Sequence, residues 1–267
     1  SIPRKIKTVI KIFREGDFQH LVRYLKLKIK RPTNASYLNE INKIVIKEID
    51  EYHLSISKEL AQAVSYTYMM GVEGDIAEFG TMTACSAVAL STAVNIRDFE
   101  YRNDKRGHKN LHFFDSFEGL PEANNDIDKS SPHVIDGIWE KGTCKGLSKE
   151  EFENEISKYI NRDKFFVYKG WFKDTVSSIN EDVCFSLVHI DGDLYESAID
   201  VLESLFKRKK ISRGAIILFD DWNCNASNPD LGEKRAFREI VKKYNVEFTD
   251  EGGYSASAHK FIIHKYD

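Results

Sequence analysis

Four acids stand where a folded chain could gather them. Asp191 and Asp193 follow the apolar run Phe185-Ser186-Leu187-Val188-His189-Ile190, and Asp220-Asp221 follow Ala215-Ile216-Ile217-Leu218-Phe219. If the two runs are neighbouring parallel strands, three or four carboxylates meet at one sheet edge. Like charges at close range disfavour ionisation unless something compensates them. A hard divalent cation is the natural compensation, and an all-oxygen set favours Mg²⁺, Ca²⁺ or Mn²⁺. Singly, each acid reads as an ordinary cap or a solvated group.

A second group of residues points to a nucleotide-like ligand. Glu78-Phe79-Gly80 ends a short apolar run, and a glycine there lets backbone approach a ligand and turn into a helix whose N–H groups face it. Asp115 ends the next run, Leu111-His112-Phe113-Phe114, at a distance suited to a ribose diol. A turn cap is the competing role for Asp115. The segment Gly80-Thr81-Met82-Thr83-Ala84-Cys85 has one glycine, so the GxGxxG signature of dinucleotide binding is absent.

These residues need elements to position them. Apolar runs near 76–80, 111–115, 164–168, 185–190 and 215–219 read as strands, and 246–248 with 260–263 as a closing pair. Stretches 53–71, 83–95, 151–160, 195–209 and 231–243 read as helices between them. Continuous apolar strands separated by helices imply a mostly parallel sheet covered on both faces, with one antiparallel strand near the end. Ligands of such sheets bind beyond the carboxyl ends of the strands. Residues 121–150 are polar and irregular, the pattern of a lid or binding loop.

The chain of 267 residues, 42% hydrophobic, suffices for one large core with a small appendage. A net charge of −3 gives no reason to expect nucleic acid as a partner. Cys85, Cys144, Cys184 and Cys224 form no CxxC pair, which fits reduced thiols in a cytoplasmic protein. No signal-peptide pattern is visible, and no apolar run approaches the roughly 18–20 residues of a membrane span. Residues 1–31 carry ten Lys or Arg against Glu15 and Asp17. We therefore divide the chain into a basic arm or helical extension, 1–50, and a folded body, 51–267. The arm reads as solvated, as an oligomerisation element, or as a contact for an anionic membrane surface or a glycan-assembly partner.

Residues 73–240 resemble the TylF-type macrocin O-methyltransferases, which modify sugars on natural products. The resemblance rests on Glu78-Phe79-Gly80, on Phe114 through Glu122 (FDSFEGLPE), on Lys169 through Thr175 (KGWFKDT), on His189 through Ser197 (HIDGDLYES), and on Phe219-Asp220-Asp221-Trp222. It implies a Rossmann-like class I fold with a seven-stranded sheet, S-adenosylmethionine as methyl donor, and Mg²⁺ beside it. On that pattern Asp191, Asp220 and Asp221 ligate the metal. Glu78, Gly80, Thr81 and the turn through Ser86 face the methionine part, Asp115 holds the ribose, and Ser116, Phe117 and Gly170-Trp171-Phe172 border the adenine. The family often has glycines where this chain has Ala84 and Cys85. It also implies a homo-oligomer and a small-molecule or glycan acceptor.

The expected reaction is methylation of a sugar hydroxyl, with Asp191 between metal and acceptor as the proton-accepting group. A catechol or phenol acceptor, or a non-catalytic binding module, are the alternatives. His189 and His112 lie in apolar runs and read as core residues, and His133 as a surface histidine. Trp171 and Trp222 could stack on adenine or a sugar, or simply pack.

Overall fold

A computed structural model describes residues 51–104 and 108–267. The basic arm, and every expectation attached to it, lies outside the described residues.

Helix α1 (Glu51–Met69) leads into β1 (Asp75–Phe79), followed by α2 (Cys85–Glu100) and β2 (Leu111–Asp115). The long loop carries two short helices, α3 (Asp126–Lys129) and α4 (Pro132–Ile135), and ends at α5 (Lys149–Ile156). Then come β3 (Phe165–Lys169), α6 (Phe172–Thr175), β4 (Phe185–Ile190), α7 (Tyr195–Lys207) and β5 (Ile211–Phe219). Helix α8 (Gly232–Lys243) precedes β6 (Glu247–Gly253) and β7 (His259–Lys265). Helix α5 starts earlier than its apolar periodicity alone suggests, because Ser148 and Glu151 form a reciprocal capping box.

The seven strands lie in the order β3-β2-β1-β4-β5-β7-β6. β1 to β5 pair in parallel, and β7 runs antiparallel between β5 and β6. The strand order reverses between β1 and β4, which is where an open α/β sheet forms its ligand crevice. All six residues of β4 are buried, as a central strand covered on both faces requires.

Each face is closed by helices with the matching period. On α7, Ala198, Val201, Leu202, Leu205 and Phe206 repeat at helical spacing and are all fully buried against the sheet with Ala236, Phe237 and Ile240 of α8. Each large side chain so buried contributes roughly 1.5–3 kcal/mol. Small residues on α2, including Ala87, Ala89 and Ala93, are buried where α2 packs on α1. Among the described residues no helix is long and apolar enough to cross a membrane. All four cysteines are free thiols.

Candidate active site

The ends of β1 and β4 touch at one point. Asp191 N donates to Phe79 O at 2.9 Å, and Gly80 N donates to Phe114 O at 2.9 Å. Gly80 has φ +94°, and a Cβ there would lie 1.9 Å from the Asp191 carbonyl oxygen. Only glycine fits, because both the backbone angle and the space exclude a side chain. The turn continues through Met82 (φ 32°) and Ala84 (φ 68°) into α2.

Asp115 organises this turn. Its Oδ2 accepts from Thr81 N at 2.7 Å, Thr81 Oγ1 at 3.0 Å and Met82 N at 3.3 Å, and its Oδ1 accepts from Phe117 N at 2.6 Å. The carboxylate is thus a turn cap that also lines the cleft. From β3, Gly170 N donates to Asp115 O at 2.9 Å. Phe172 then meets the ring of Phe79 edge-on, with centroids 5.6 Å apart. Ser116 Oγ closes its own turn by donating to Gly119 O at 2.8 Å.

Beyond β4 the loop Asp191-Gly192-Asp193 faces Asp221 at the end of β5. One carboxylate oxygen from each of Asp191, Asp193 and Asp221 lies within 4.8 Å of the others. Burial first, and then the charges of Asp220, Asp221, Asp193 and Glu233, hold the Asp191 carboxyl well above the usual carboxylate range. Asp193 is raised in the same direction, by burial and then by Asp221 and Asp220. Asp221 is pushed up to about 7 by burial and by Asp220, against hydrogen bonds from Cys224 and the Asp193 backbone. Cys224 Sγ donates to Asp221 Oδ1 at 3.2 Å, while Asp221 Oδ2 is buried with no hydrogen-bond partner. Behind them Glu233, 1% exposed, accepts from Asp221 N at 3.0 Å. An oxygen-only set with an unused buried oxygen and mutually raised protonation fits a hard divalent cation.

Strand ends and long loop enclose a cleft of about 370 Å³. Of the residues expected at the site, Gly80, Thr81, Asp115, Ser116, Gly170, Trp171, Phe172 and Asp191 line it, and Asp193 joins them. Asp220 and Asp221 are not among the lining residues, and of the expected ligands Asp191, Asp220 and Asp221 only Asp191 and Asp221 belong to the group of close oxygens, where Asp193 takes the place of Asp220. Ser86 lies in the first turn of α2, outside the lining. Phe117 is buried and meets Phe152 edge-on at 5.9 Å. Glu78 is fully buried within the sheet, where its Oε1 is 3.0 Å from Nδ1 of His189, its register partner on β4.

The other aromatic candidates are absorbed by packing. His112 lies 3.1 Å from both Asp75 Oδ2 and Tyr168 Oη. Trp222 packs among Phe219, Phe237, His259 and Phe261. His133 stacks on Trp139 and lies 3.1 Å from Asn225 Oδ1. Sequence reasoning passed over Glu233, Asn225 and Asp128. Their roles depend on contacts between segments far apart in the chain; Cys224, three residues after Asp221, carried a local signal.

A mostly parallel seven-stranded sheet with its crevice at the β1/β4 switch point is the class I methyltransferase fold. Residues 56–245 match the model of the macrocin-O-methyltransferase (TylF) family, and the chain belongs to that family. It is 26% identical over 194 residues to the 8-demethyl-8-(2,3-dimethoxy-alpha-L-rhamnosyl)-tetracenomycin-C 4'-O-methyltransferase of Streptomyces olivaceus, covering 71% of this chain and 66% of that protein. It is 25% identical over 186 residues to the demethyldecarbamoylnovobiocin O-methyltransferase of Streptomyces niveus, covering 69% of this chain and 66% of that protein. The chain therefore spans just under two thirds of these relatives' length. Among solved structures, the O-methyltransferase NovP matches with a TM-score of 0.64 at 21% identity, over 79% of this chain and 81% of that one.

Proposed function

We propose that this protein is an S-adenosylmethionine-dependent, divalent-cation-assisted O-methyltransferase acting on a hydroxyl of a sugar or glycosylated small molecule. The observation that carries the proposal is the convergence of Asp191, Asp193 and Asp221 on one point beside the Gly80 turn. Family membership supports the reaction class, and the rhamnosyl substrate in the name of the Streptomyces olivaceus relative supports a sugar acceptor.

Bound S-adenosylmethionine supplies an electrophilic methyl on a sulfonium that leaves as a neutral thioether. A divalent cation, Mg²⁺ in this reading, supplies the positive charge that stabilises a developing alkoxide. The chain supplies the rest. Gly80 removes the Cβ that would block approach at the end of β1, and Asp115 keeps the 80–84 turn fixed while one side of its Oδ1 stays available to a ribose hydroxyl. Trp171 and Phe172 give the apolar wall for adenine. Asp191 and Asp193 face the cleft, so either oxygen pair can take the hydroxyl proton; Asp191, at the β1–β4 junction, is the group we assign. Asp221, outside the lining, serves as a ligand and not as a base.

The test is a methyl-transfer assay with glycosides and catechols as competing acceptors. Asp191→Ala should fold normally and lose at least about a hundredfold in rate, as removal of transition-state charge stabilisation does. EDTA should suppress turnover, and a divalent cation should restore it. Full activity in EDTA would contradict the cation's role.

A further inference from the structure

Helix α7 has no cap of its own. It begins at Tyr195, directly after Asp193-Leu194, and the N-cap residue Leu194 has no side-chain oxygen to offer. The first N–H groups of a helix find no partner within it. Here they are met from a distance in sequence. Asp128, 2% exposed, accepts from Tyr195 N at 2.8 Å through Oδ1 and from Glu196 N at 3.1 Å through Oδ2. Asn125 Nδ2 steadies the pair, donating to Asp128 Oδ2 at 2.7 Å and to Glu196 Oε2 at 3.2 Å.

The same long loop grips the segment after β5. Ser131 Oγ donates to Asn225 Oδ1 at 2.5 Å, and both residues are buried. Asn225 opens a run of three left-handed non-glycine residues, Asn225 (φ 61°), Ala226 (φ 54°) and Ser227 (φ 59°). Such backbone costs on the order of 1–3 kcal/mol per residue and persists only where its surroundings hold it. Between the two grips, Trp139 of the loop packs with Leu120, Leu194, Val134 and Cys224. Leu194 directly follows Asp193, and Cys224 bonds Asp221.

In the ionised state that a cation requires, the three carboxylates push the two loops that bear them apart. Every contact just described pulls those loops together, and all come from residues 125–139. We propose that this segment is a fixed clamp that holds Asp191 and Asp193 in register with Asp221, and that Asp128 is its positioning residue. The proposal rests on the reading of the carboxylates as a cation site. Asp128 does not line the cleft and does not belong to the carboxylate group, so it acts through Tyr195 and Glu196. Cation affinity therefore depends on it, whereas cofactor affinity, set by the Gly80 and Gly170 turns, does not.

The experiment is calorimetric titration of the full chain with Mn²⁺ and, separately, with S-adenosylhomocysteine, for wild type, Asp128→Asn and Asp128→Ala. Loss of an outer residue that orients ligands lowers metal affinity about 10–100-fold, and Asp128→Ala should fall in that range. Its S-adenosylhomocysteine affinity should stay within about twofold of wild type by the same argument. Asp128→Asn keeps one acceptor for the helix and should show the same split with a smaller loss, which also serves if Asp128→Ala does not fold. If wild type binds Mn²⁺ and both variants bind it equally well, the clamp is refuted while the cation site stands. If both ligands weaken together in Asp128→Asn, Asp128 is only a stability element and the proposal is overturned. If wild type takes up no Mn²⁺, the cation reading fails and the clamp's purpose falls with it.

Discussion

The Cα hydrogen of Gly80 points at the backbone of Asp191: a methyl group in its place would sit 1.9 Å from the Asp191 carbonyl oxygen. The Gly80 turn and the carboxylate loop are thus in direct backbone contact. Gly80→Ala must push them apart and must also hold a side chain at φ +94°. We expect a loss on the order of 3 kcal/mol or more in urea denaturation, together with loss of methyl transfer.

Ala84 presents the opposite case. It holds φ 68° at the N-cap of α2 with no side-chain cap bond. Left-handed backbone costs an alanine roughly 1–2 kcal/mol, partly offset by the greater unfolded-state entropy of glycine. Ala84→Gly should raise stability by up to about 1 kcal/mol, measured by thermal unfolding, with cofactor affinity kept. Destabilisation would show that the turn is not strained at this point.

The carboxylate cluster makes stability depend on pH in a defined direction. Burial and the charge of Asp220 push Asp221 up to about 7 in the folded chain, whereas an unfolded aspartate titrates near about 4. Between these values the unfolded chain gives up a proton that the folded chain retains. Stability from this group is therefore complete below about pH 4 and is lost as pH rises to about 7. Asp191, Asp193 and Glu233 are raised too and act in the same sense. In scanning fluorimetry, Mg²⁺ should raise Tm more at pH 8 than at pH 5, because the cation must displace fewer protons there. An equal shift at both values would mean that the cation binds elsewhere.

At the amino ends of the central strands, Lys109 acts with the other sign. Its Nζ, buried, donates to Val72 O at 2.7 Å, Gly74 O at 2.6 Å and Ser186 Oγ at 3.0 Å. Burial lowers its pKa to about 8, against the charges of Asp75 and Asp98, which raise it. An unfolded lysine titrates near about 10.4. Between these values the unfolded state holds the extra proton, so this group makes stability rise with pH from about 8 to about 10. Urea midpoints across that range should climb in wild type relative to Lys109→Met; parallel profiles would contradict the assignment.

The strands and the acids at their ends were legible because buried parallel strands are apolar runs and their polar ends stand out against them. Asp191, Asp221, Gly80 and Asp115 stand out in this way. Asp193 was visible as one of the clustered acids, yet its place beside Asp191 and Asp221 depends on the left-handed turn at its own φ of 59°. Glu78 reads as a cofactor contact from its motif, but the side chain lies along the sheet on His189, a pairing fixed by the β1–β4 register. The 121–150 segment reads as an irregular lid or binding loop because its two helices have four residues each, too short to leave a periodic signal. Its attachment through Asp128 and Ser131 is made to residues 67 and 94 positions away in sequence.

The central claim is that carboxylates from the ends of β4 and β5 share one cation next to the cofactor. Crystals grown with S-adenosylhomocysteine and Mn²⁺, with data collected at the manganese edge, test it most directly. We predict a single anomalous peak bonded to Asp191 and Asp221 oxygens at the wall of the cleft, with the cofactor's sulfur facing it. Ordered cofactor with no anomalous peak among Asp191, Asp193, Asp220 and Asp221 would contradict the account.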